Sequence, residues 1–543
     1  MFIDYQSNLK QQFEQSVDYA LKDIKGFPYE EYQRNLERYT IAERWFSGEA
    51  LQEEIRVANS DKEVALYPVQ INPIPGSVFK HSYVLFGETR DDERPLVFAR
   101  AIANDPESET DKKLAQEVDD VLSKIWTDNS GRALQYTNGT RSQIYGGCVF
   151  SLTWDWRKAV QMRKGEINIK TTPIRIQATH PKYFIGIPDS TNPFLLKESW
   201  VVRPITHQEA AENGVTIPED QVPWIIEHIT PTKMEYTING TDTYIVKDGK
   251  KVIPLSGKNP FGFVPVVYIP HLRVTGFYGI NEFDGALGLI KELNLRIADF
   301  GDAVNVDAHS LVALRNVNGA PKVSNLIPGR KTLDLGSSLL AGQANQPDAI
   351  ELGSSSASSS MTELAELLYD QIRRELNIPA VADGEDEGSQ RSGMTLYIRM
   401  WPLIQHTSTE RIYWTEGLNV LSRMMLLMLA IKGKQNEESS MGITFEHTEM
   451  LLKQVWAPQM PRDREVLVNE IIARSSANLG SVEHLLDMLG DVENIEEEVE
   501  RIIEWMERKS ELEAPAFGDS QKGVSGSPST KPTKSDSNQK GEK

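Results

Sequence analysis

Any chemistry in this chain would have to come from its carboxylates, because the other candidates fail on spacing. The densest run is DGEDEG at residues 383–388, which carries Asp383, Glu385, Asp386 and Glu387. Clustered carboxylates can hold Ca²⁺ or Mg²⁺, which take oxygen ligands. The order D-x-[DN]-x-[DN]-G is not met, since Gly384 comes too early. The same run also reads as a solvated loop, or as a loop facing a polyanion or a partner and kept acidic to prevent sticking. The phosphate-cradling G-x-x-x-x-G-K-[ST] is missing: Gly257-Lys258 is followed by Asn259 and has no matching upstream glycine. No G-x-G-x-x-G follows a strand-like run, so ATP hydrolysis by this chain is not expected. The nine histidines are scattered, with no pair at metal-ligand spacing. No G-x-S-x-G elbow exists, and the single cysteine, Cys148, sits in the apolar run GGCVFSL, where it reads as a small buried hydrophobe. No catalytic residue, cofactor or metal ligand is assigned on these grounds.

Bulk properties narrow the partners. With 543 residues the chain can build several packed regions. Its 78 acidic against 58 basic residues give a formal charge of -20. Proteins that grip DNA tightly are usually basic, at least in a patch, so tight groove reading is not expected. One cysteine cannot form an internal disulfide, which suits a cytoplasmic site of assembly. The N-terminal residues MFIDYQSNLKQQ lack the basic-then-apolar order of a signal peptide. The most apolar run, MMLLMLAI at residues 424–431, falls short of the roughly 18 residues a membrane span needs and reads as a buried helix end.

Periodicity then places the elements. Residues 1–58 read as helical, and over 29–57 Tyr32, Leu36, Tyr39, Trp45, Leu51 and Ile55 recur at three-to-four spacing. Residues 64–104, with four prolines, read as loop and short strands. Helices are expected over 107–126 and 132–145. From 148 to 269 short β-prone runs alternate with Gly, Pro and Asn, among them 167–171, and Asn239-Gly240 signals a hairpin. No regular βαβ alternation appears. From residue 281 the chain turns helical. Phe283, Ala286, Ile290, Leu293, Ile297, Phe300 and Val304 form one seam, and charged residues fall off it. A Gly/Ser-rich excursion follows, and Ser360-Met-Thr-Glu363 reads as a capping box for a helix with Met361, Leu364, Leu368, Ile372 and Leu376 on one face. Pro379 ends that helix, DGEDEG follows, and a long helix containing Pro402 starts near Ser392-Gly393. Helices are expected again over 462–513, and a low-hydrophobicity tail after Glu513 is expected to be disordered. The fold class is therefore α+β, mainly helical, with antiparallel sheet. On periodicity alone the helix over 281–308 equally reads as an ordinary core helix; a helix pair with an excursion at its tip suits a protruding stalk.

Taken in order, these segments resemble the portal (head-to-tail connector) proteins of tailed bacteriophages over about residues 30–512. NPFGFVPVVYIP at 259–270, then GINEFDGALGLIKELNLRIADFGDAVN at 279–305 with Asn294 and Asp299, looks like the approach to the family's first stem helix. The resemblance implies a wing of helices and antiparallel sheet at 1–278, stem helix 1 at 279–308 and a small α/β clip at 309–357. It implies stem helix 2 at 358–377, a tunnel loop at 378–392, a long kinked helix returning to the wing at 393–459 and a helical crown at 460–512, before the tail at 513–543. It further implies a non-enzymatic homo-oligomeric ring, usually of about twelve subunits, at one capsid vertex of the virion, assembled in the host cytoplasm. Double-stranded DNA would pass through it without sequence reading, during packaging and again at ejection. Partners would be the terminase large subunit, head-completion or tail adaptor proteins, and the major capsid and scaffolding proteins, with no membrane. Asp383, Glu385, Asp386, Glu387 and Arg391 would then form the tunnel loop, and Lys291, Arg296, Arg373 and Arg374 the basic contacts of the stem's channel face. Two other readings stand beside this one: a metal-dependent nucleic-acid enzyme using the acidic loop, and a capsid scaffold or adaptor without DNA passage.

Overall fold

The structure, a computed structural model, describes residues 18, 20–22, 24–60, 70–87, 95–105, 107–155, 172–247, 250–308, 311–315, 332–334, 348–352, 357–384, 393–435, 440–459, 464–489 and 495–513. The chain divides into two units, Met1–Pro461 and Arg462–Lys543. Its mixture of helix and predominantly antiparallel sheet agrees with the α+β expectation. Glu385, Asp386, Glu387 and Arg391, the strand expected at 167–171 and the tail after Glu513 lie outside the described residues.

The first unit opens with helices α1 (Tyr29–Ser47) and α2 (Glu49–Ser60). The single helical run expected there is interrupted at Gly48, whose φ of 84° makes it the left-handed cap of α1. A correction follows at α3 (Ile74–Phe86), where loop and short strands were expected. Pro75 sits in the first turn, where its missing N–H costs nothing, so the prolines start this helix instead of forbidding it. Its apolar residues lie on nearly all sides and hide the helical period: Ile74, Val78, Val84, Leu85 and Phe86 are all buried. Strand β1 (Val97–Ile102) and helices α4 (Glu109–Asp128) and α5 (Gly131–Tyr145) follow.

The main core forms where strands β2 (Gly147–Trp154) and β3 (Ile174–Thr179), and later β12 (Val266–Pro270), make an antiparallel sheet in the order β12-β2-β3. Cys148 is fully buried on β2, and burial pushes its thiol pKa up, as expected of a structural hydrophobe. A larger antiparallel sheet joins β4 (Phe184–Pro188), β5 (Leu196–Pro204), β6 (Trp224–Ile229), β7 (Lys233–Ile238), β8 (Thr241–Asp242) and β11 (Gly257–Lys258). Asn239 and Gly240, at φ 45° and 77°, make the predicted hairpin between β7 and β8. One face of this sheet packs on Leu21, Phe27 and Tyr32, and the other on Val264, Val266 and Tyr268.

His180, between β3 and β4, gives a pH test of this packing. Burial, helped by Arg141 and Lys182, lowers its pKa to about 4, and its Nδ1 accepts the Lys182 amide at 3.2 Å. A histidine depressed in the fold contributes stability that is complete above its ordinary 6.5 and is lost as pH falls toward 4. Between those pH values the wild type should lose roughly 2 kcal/mol more than His180→Asn, which keeps an acceptor but no titrating ring. Urea midpoints at the two pH values measure the difference.

A 3-10 turn at Asp284–Ala286 leads into α7 (Leu287–Ala308). (Helix α6 is the short His207–Glu212, and β9, Tyr244–Lys247, pairs with β10, Lys250–Pro254.) The helix itself starts four residues after the seam does, but Phe283 and Ala286 are still buried with Ile290 and Leu293. Beyond α7, β13 (Leu311–Arg315) lies parallel to β14 (Thr332–Asp334) and antiparallel to β15 (Asp348–Leu352). Then α8 (Ala357–Glu375) returns along α7. Because α8 already begins at Ala357, Ser360 lies inside it and cannot be the N-cap; the capping box expected there is a second correction. Helix α9 (Gly393–Gln435) contains Pro402 as predicted. Proline at 402 removes the bond its N–H would give to the Ile398 carbonyl. The change in environment falls at the same point: Leu396, Tyr397, Ile398 and Trp401 are exposed, whereas Leu403 and Ile404 are buried. The run Met424, Met425, Leu426, Met428 and Leu429 is buried in the main core, as expected. After the short α10 (Phe445–Thr448), β16 (Leu451–Trp456) pairs with β1 and closes the unit.

The second unit contains α11 (Arg464–Ser476), α12 (Val482–Leu489) and α13 (Ile495–Glu513). Its expected helicity is present, but Ile503 and Met506 on α13 remain exposed within the chain.

Candidate functional site

The site of interest is the joint where α3, the lead-in to α7, the end of α8 and the buried part of α9 converge. Its apolar floor is Phe283, Ala286, Ile290, Leu293, Ile372, Leu376 and Ile378, packed on Tyr39, Leu51, Ile74 and Val78. Asn294 fixes α7 to this floor. Its side chain is fully buried, accepts the Ile71 amide at 2.7 Å and donates to the Ile71 carbonyl at 2.9 Å. An amide that answers both backbone groups of one residue behaves like a strand partner, and no apolar residue could replace it.

Above that floor lies a buried polar network. Glu282, in the residues just before α7, receives three imidazoles. His271 Nε2 is 2.8 Å from Oε2, His406 Nε2 is 2.7 Å from Oε2, and His81 Nε2 is 3.3 Å from Oε1. His81 Nε2 also lies 2.8 Å from the Leu376 carbonyl at the end of α8. On the far side of the His271 ring, Nδ1 is 3.1 Å from the fully buried carboxylate of Glu410. His406 Nδ1 faces Asn377 Nδ2 at 3.3 Å. Glu282 and the imidazoles around it thus tie α3, the lead-in to α7, the end of α8 and α9 together.

The charges follow from these neighbours. Burial alone would depress His271, but Glu410 and Glu282, one on each ring nitrogen, raise its pKa to about 10. His271 is therefore an imidazolium between two carboxylates at neutral pH. Burial would raise the Glu282 carboxyl, yet the surrounding histidines reverse this and hold it well below the usual carboxylate range. His81 goes the other way: burial outweighs the pull of Glu282 and lowers its pKa. Sequence reasoning missed these five residues. Their positions are scattered from 81 to 410, and only His406 and Glu410, one helical turn apart, offered a local signal.

The residues singled out from sequence take the following places. Asp383 ends the 3-10 turn at Ala380–Asp383, forms an ion pair with Lys80 and lies 3.9 Å from Arg373 Nη1. Arg373 also pairs with Asp370 at 2.6 Å and stacks over Tyr369. Lys291 pairs with Glu54 at 2.6 Å, and Arg296 with Glu292 at 2.7 Å and Asp299 at 3.2 Å. Arg374 is exposed on α8. Lys80 and His81 are adjacent on α3, so the acidic turn and the buried network share one helix as their support. A carboxylate already engaged by two cations is poorly placed to ligate a catalytic metal, so Asp383 lends no support to the enzyme reading.

No helix among the described residues is long and apolar enough to cross a membrane. Compared with known protein families, residues 253–511 match the model described as phage portal protein, SPP1 Gp6-like. No curated protein matches the chain. The matched span takes in α7, the excursion, α8, the acidic turn, α9 and most of the second unit.

Proposed function

Because the chain belongs to the tailed-phage portal protein family, a structural family, we propose that it forms a ring at one capsid vertex through which double-stranded DNA is packaged and later released. The observation that carries this reading is the family match over residues 253–511, a span that includes the helix pair, the acidic turn and the long helix. In this reading residues 279–308 and 358–377 are the stem, 309–357 the clip, 378–392 the tunnel loop, 393–459 the long helix and its return, and 460–512 the crown, with 1–278 as the wing. A ring of about twelve copies is the expected closure. The clip would meet the terminase and then the head-completion proteins, and the outer surface would meet capsid and scaffolding proteins.

Two features of the chain suit a conduit. The exposed apolar side chains of α9, Leu396, Tyr397, Ile398 and Trp401, together with Leu364 and Leu367 on α8, need cover that a single subunit does not give them. Adjacent subunits of a ring would supply it. Second, Lys291, Arg296 and Arg373, three of the four cations proposed for the channel face, are held by carboxylates of the same chain. A cation that already has a partner releases fewer counterions on meeting a phosphate, which weakens a grip that would oppose sliding.

The acidic loop supplies the test. Glu385→Gln, Asp386→Asn and Glu387→Gln, combined, leave the Asp383 pairs with Lys80 and Arg373 in place. Assembled particles carrying this triple variant should package more slowly and pause more, because DNA lingers at a less repulsive constriction. The defect should shrink as salt rises, since the Debye length falls from about 10 Å at 0.1 M to about 3 Å at 1 M. Normal packaging and normal DNA retention at low salt would remove these residues from the tunnel.

A further inference from the structure

We infer that His81, Glu282 and His406 form a binding site for one transition-metal dication per chain, with zinc the best chemical match. The three residues come from α3, the lead-in to α7 and α9, and each offers a ligand atom within 4.8 Å of the others. For metal–ligand bonds of about 2.0–2.1 Å, a tetrahedral site has edges of about 3.3 Å. His81 Nε2 and Glu282 Oε1 are already 3.3 Å apart. His406 Nε2 lies 2.7 Å from the other carboxylate oxygen, so a small turn of that ring or of the carboxylate completes the triangle. Glu282 Oε1 is buried and accepts no hydrogen bond, which leaves its lone pairs directed at the proposed ion.

The chemistry of the donors selects the ion. Two imidazoles and one carboxylate suit zinc and its neighbours, whereas Mg²⁺ and Ca²⁺ prefer all-oxygen sites. His81 and Glu282 have side chains only 0% and 1% exposed, while His406 keeps 13% of its side chain exposed and provides the way in. An ion bound here needs both Nε2 atoms unprotonated, with each ring proton carried on Nδ1. For His406 that proton faces the Asn377 amide at 3.3 Å, which accepts it once its oxygen is turned inward. For His81 the ion replaces the bond from Nε2 to the Leu376 carbonyl at 2.8 Å, and the proton moves to Nδ1, which is buried without a partner. His271, held by Glu410 and placed 2.8 Å from Glu282 Oε2, orients the carboxylate as an outer-shell partner. An ion here would lock α3, α7 and α9 into one body.

Metal content is read on purified chains, so the outcome is independent of the portal reading. The full-length protein, without a histidine tag and stripped with chelator, is titrated with Co²⁺ and separately loaded with Zn²⁺, then desalted and assayed for bound metal. The expected result is one equivalent per chain, visible Co²⁺ absorption of tetrahedral intensity, and a thermal midpoint that rises with Zn²⁺. His406→Gln can still hydrogen-bond to Glu282 and Asn377, so it should fold; its affinity should fall by at least about tenfold. His228→Gln is the control, because His228 sits between Glu198 at 2.6 Å and Glu235 at 2.9 Å in a separate cluster. Folded wild type that retains no metal would overturn the inference. So would His406→Gln binding as tightly as wild type, or metal lost in His228→Gln instead.

Discussion

Replacing Glu282 with glutamine should destabilise the metal-free protein by about 3 kcal/mol or more, the usual cost of breaking a buried ion pair from one side. The side chain is 1% exposed, its Oε2 is shared by His271 and His406, and its Oε1 faces His81 at 3.3 Å. A neutral amide leaves the His271 imidazolium with only Glu410, in a site that water does not reach. It also asks an amide N–H to share space with imidazole donors. The double variant Glu282→Gln, His271→Gln should recover part of the loss, because it removes the stranded charge with its partner. Urea midpoints of the two variants against wild type measure both effects. A cost below about 1 kcal/mol for the single change, within the range of exposed pairs, would mean that the network does not hold the joint.

Gly279→Ala should be comparably damaging for a steric reason. The chain crosses itself there on its way from β12 to α7. A Cβ on Gly279 would fall inside the van der Waals envelope of the Gly146 carbonyl oxygen, and within 2.9 Å of the Leu272 carbonyl oxygen and 3.0 Å of the His271 amide. All three are backbone atoms and cannot swing aside. The crossing is also woven by hydrogen bonds: Tyr268 Oη donates to the Gly146 carbonyl at 3.0 Å and accepts the Gly279 amide at 3.1 Å. Overpacking of this kind costs about 1–3 kcal/mol, and the upper end is expected where only backbone can yield. Gly276→Ala, three residues away, is not a clean control because Gly276 has a φ of 73°. Gly288→Ala is the better one, since a Cβ there meets nothing within 4 Å. A Gly279→Ala protein with the wild-type urea midpoint would contradict the crossing.

What the sequence made legible was local. The seam from Phe283 to Ile297, the helix over 107–126, the hairpin at Asn239-Gly240 and the proline inside α9 each rest on neighbours within one turn, and each is present in the fold. Helix α3 escaped because its prolines fall at its start and its apolar residues surround it, so neither the breaker rule nor the period marks it. The joint escaped for another reason. Its bonds link His81 to Glu282 and Glu282 to His406, which lie on elements distant in sequence, and nothing in the spacing of single residues encodes such meetings. Asp383 was readable as part of an acidic turn, but its partner Lys80 was not. The consequence matters for function: one of the four carboxylates assigned to the loop fastens the turn to α3, and the repulsive role proposed for the loop falls to Glu385, Asp386 and Glu387.

The central claim is that this chain closes into a ring around a passage for DNA. Electron microscopy of the purified full-length protein tests it most directly. Closed rings with rotational symmetry near twelvefold and an open axial channel wide enough for a duplex are the expected result. A protein that remains monomeric, or that assembles into filaments or particles without a central opening, would contradict it.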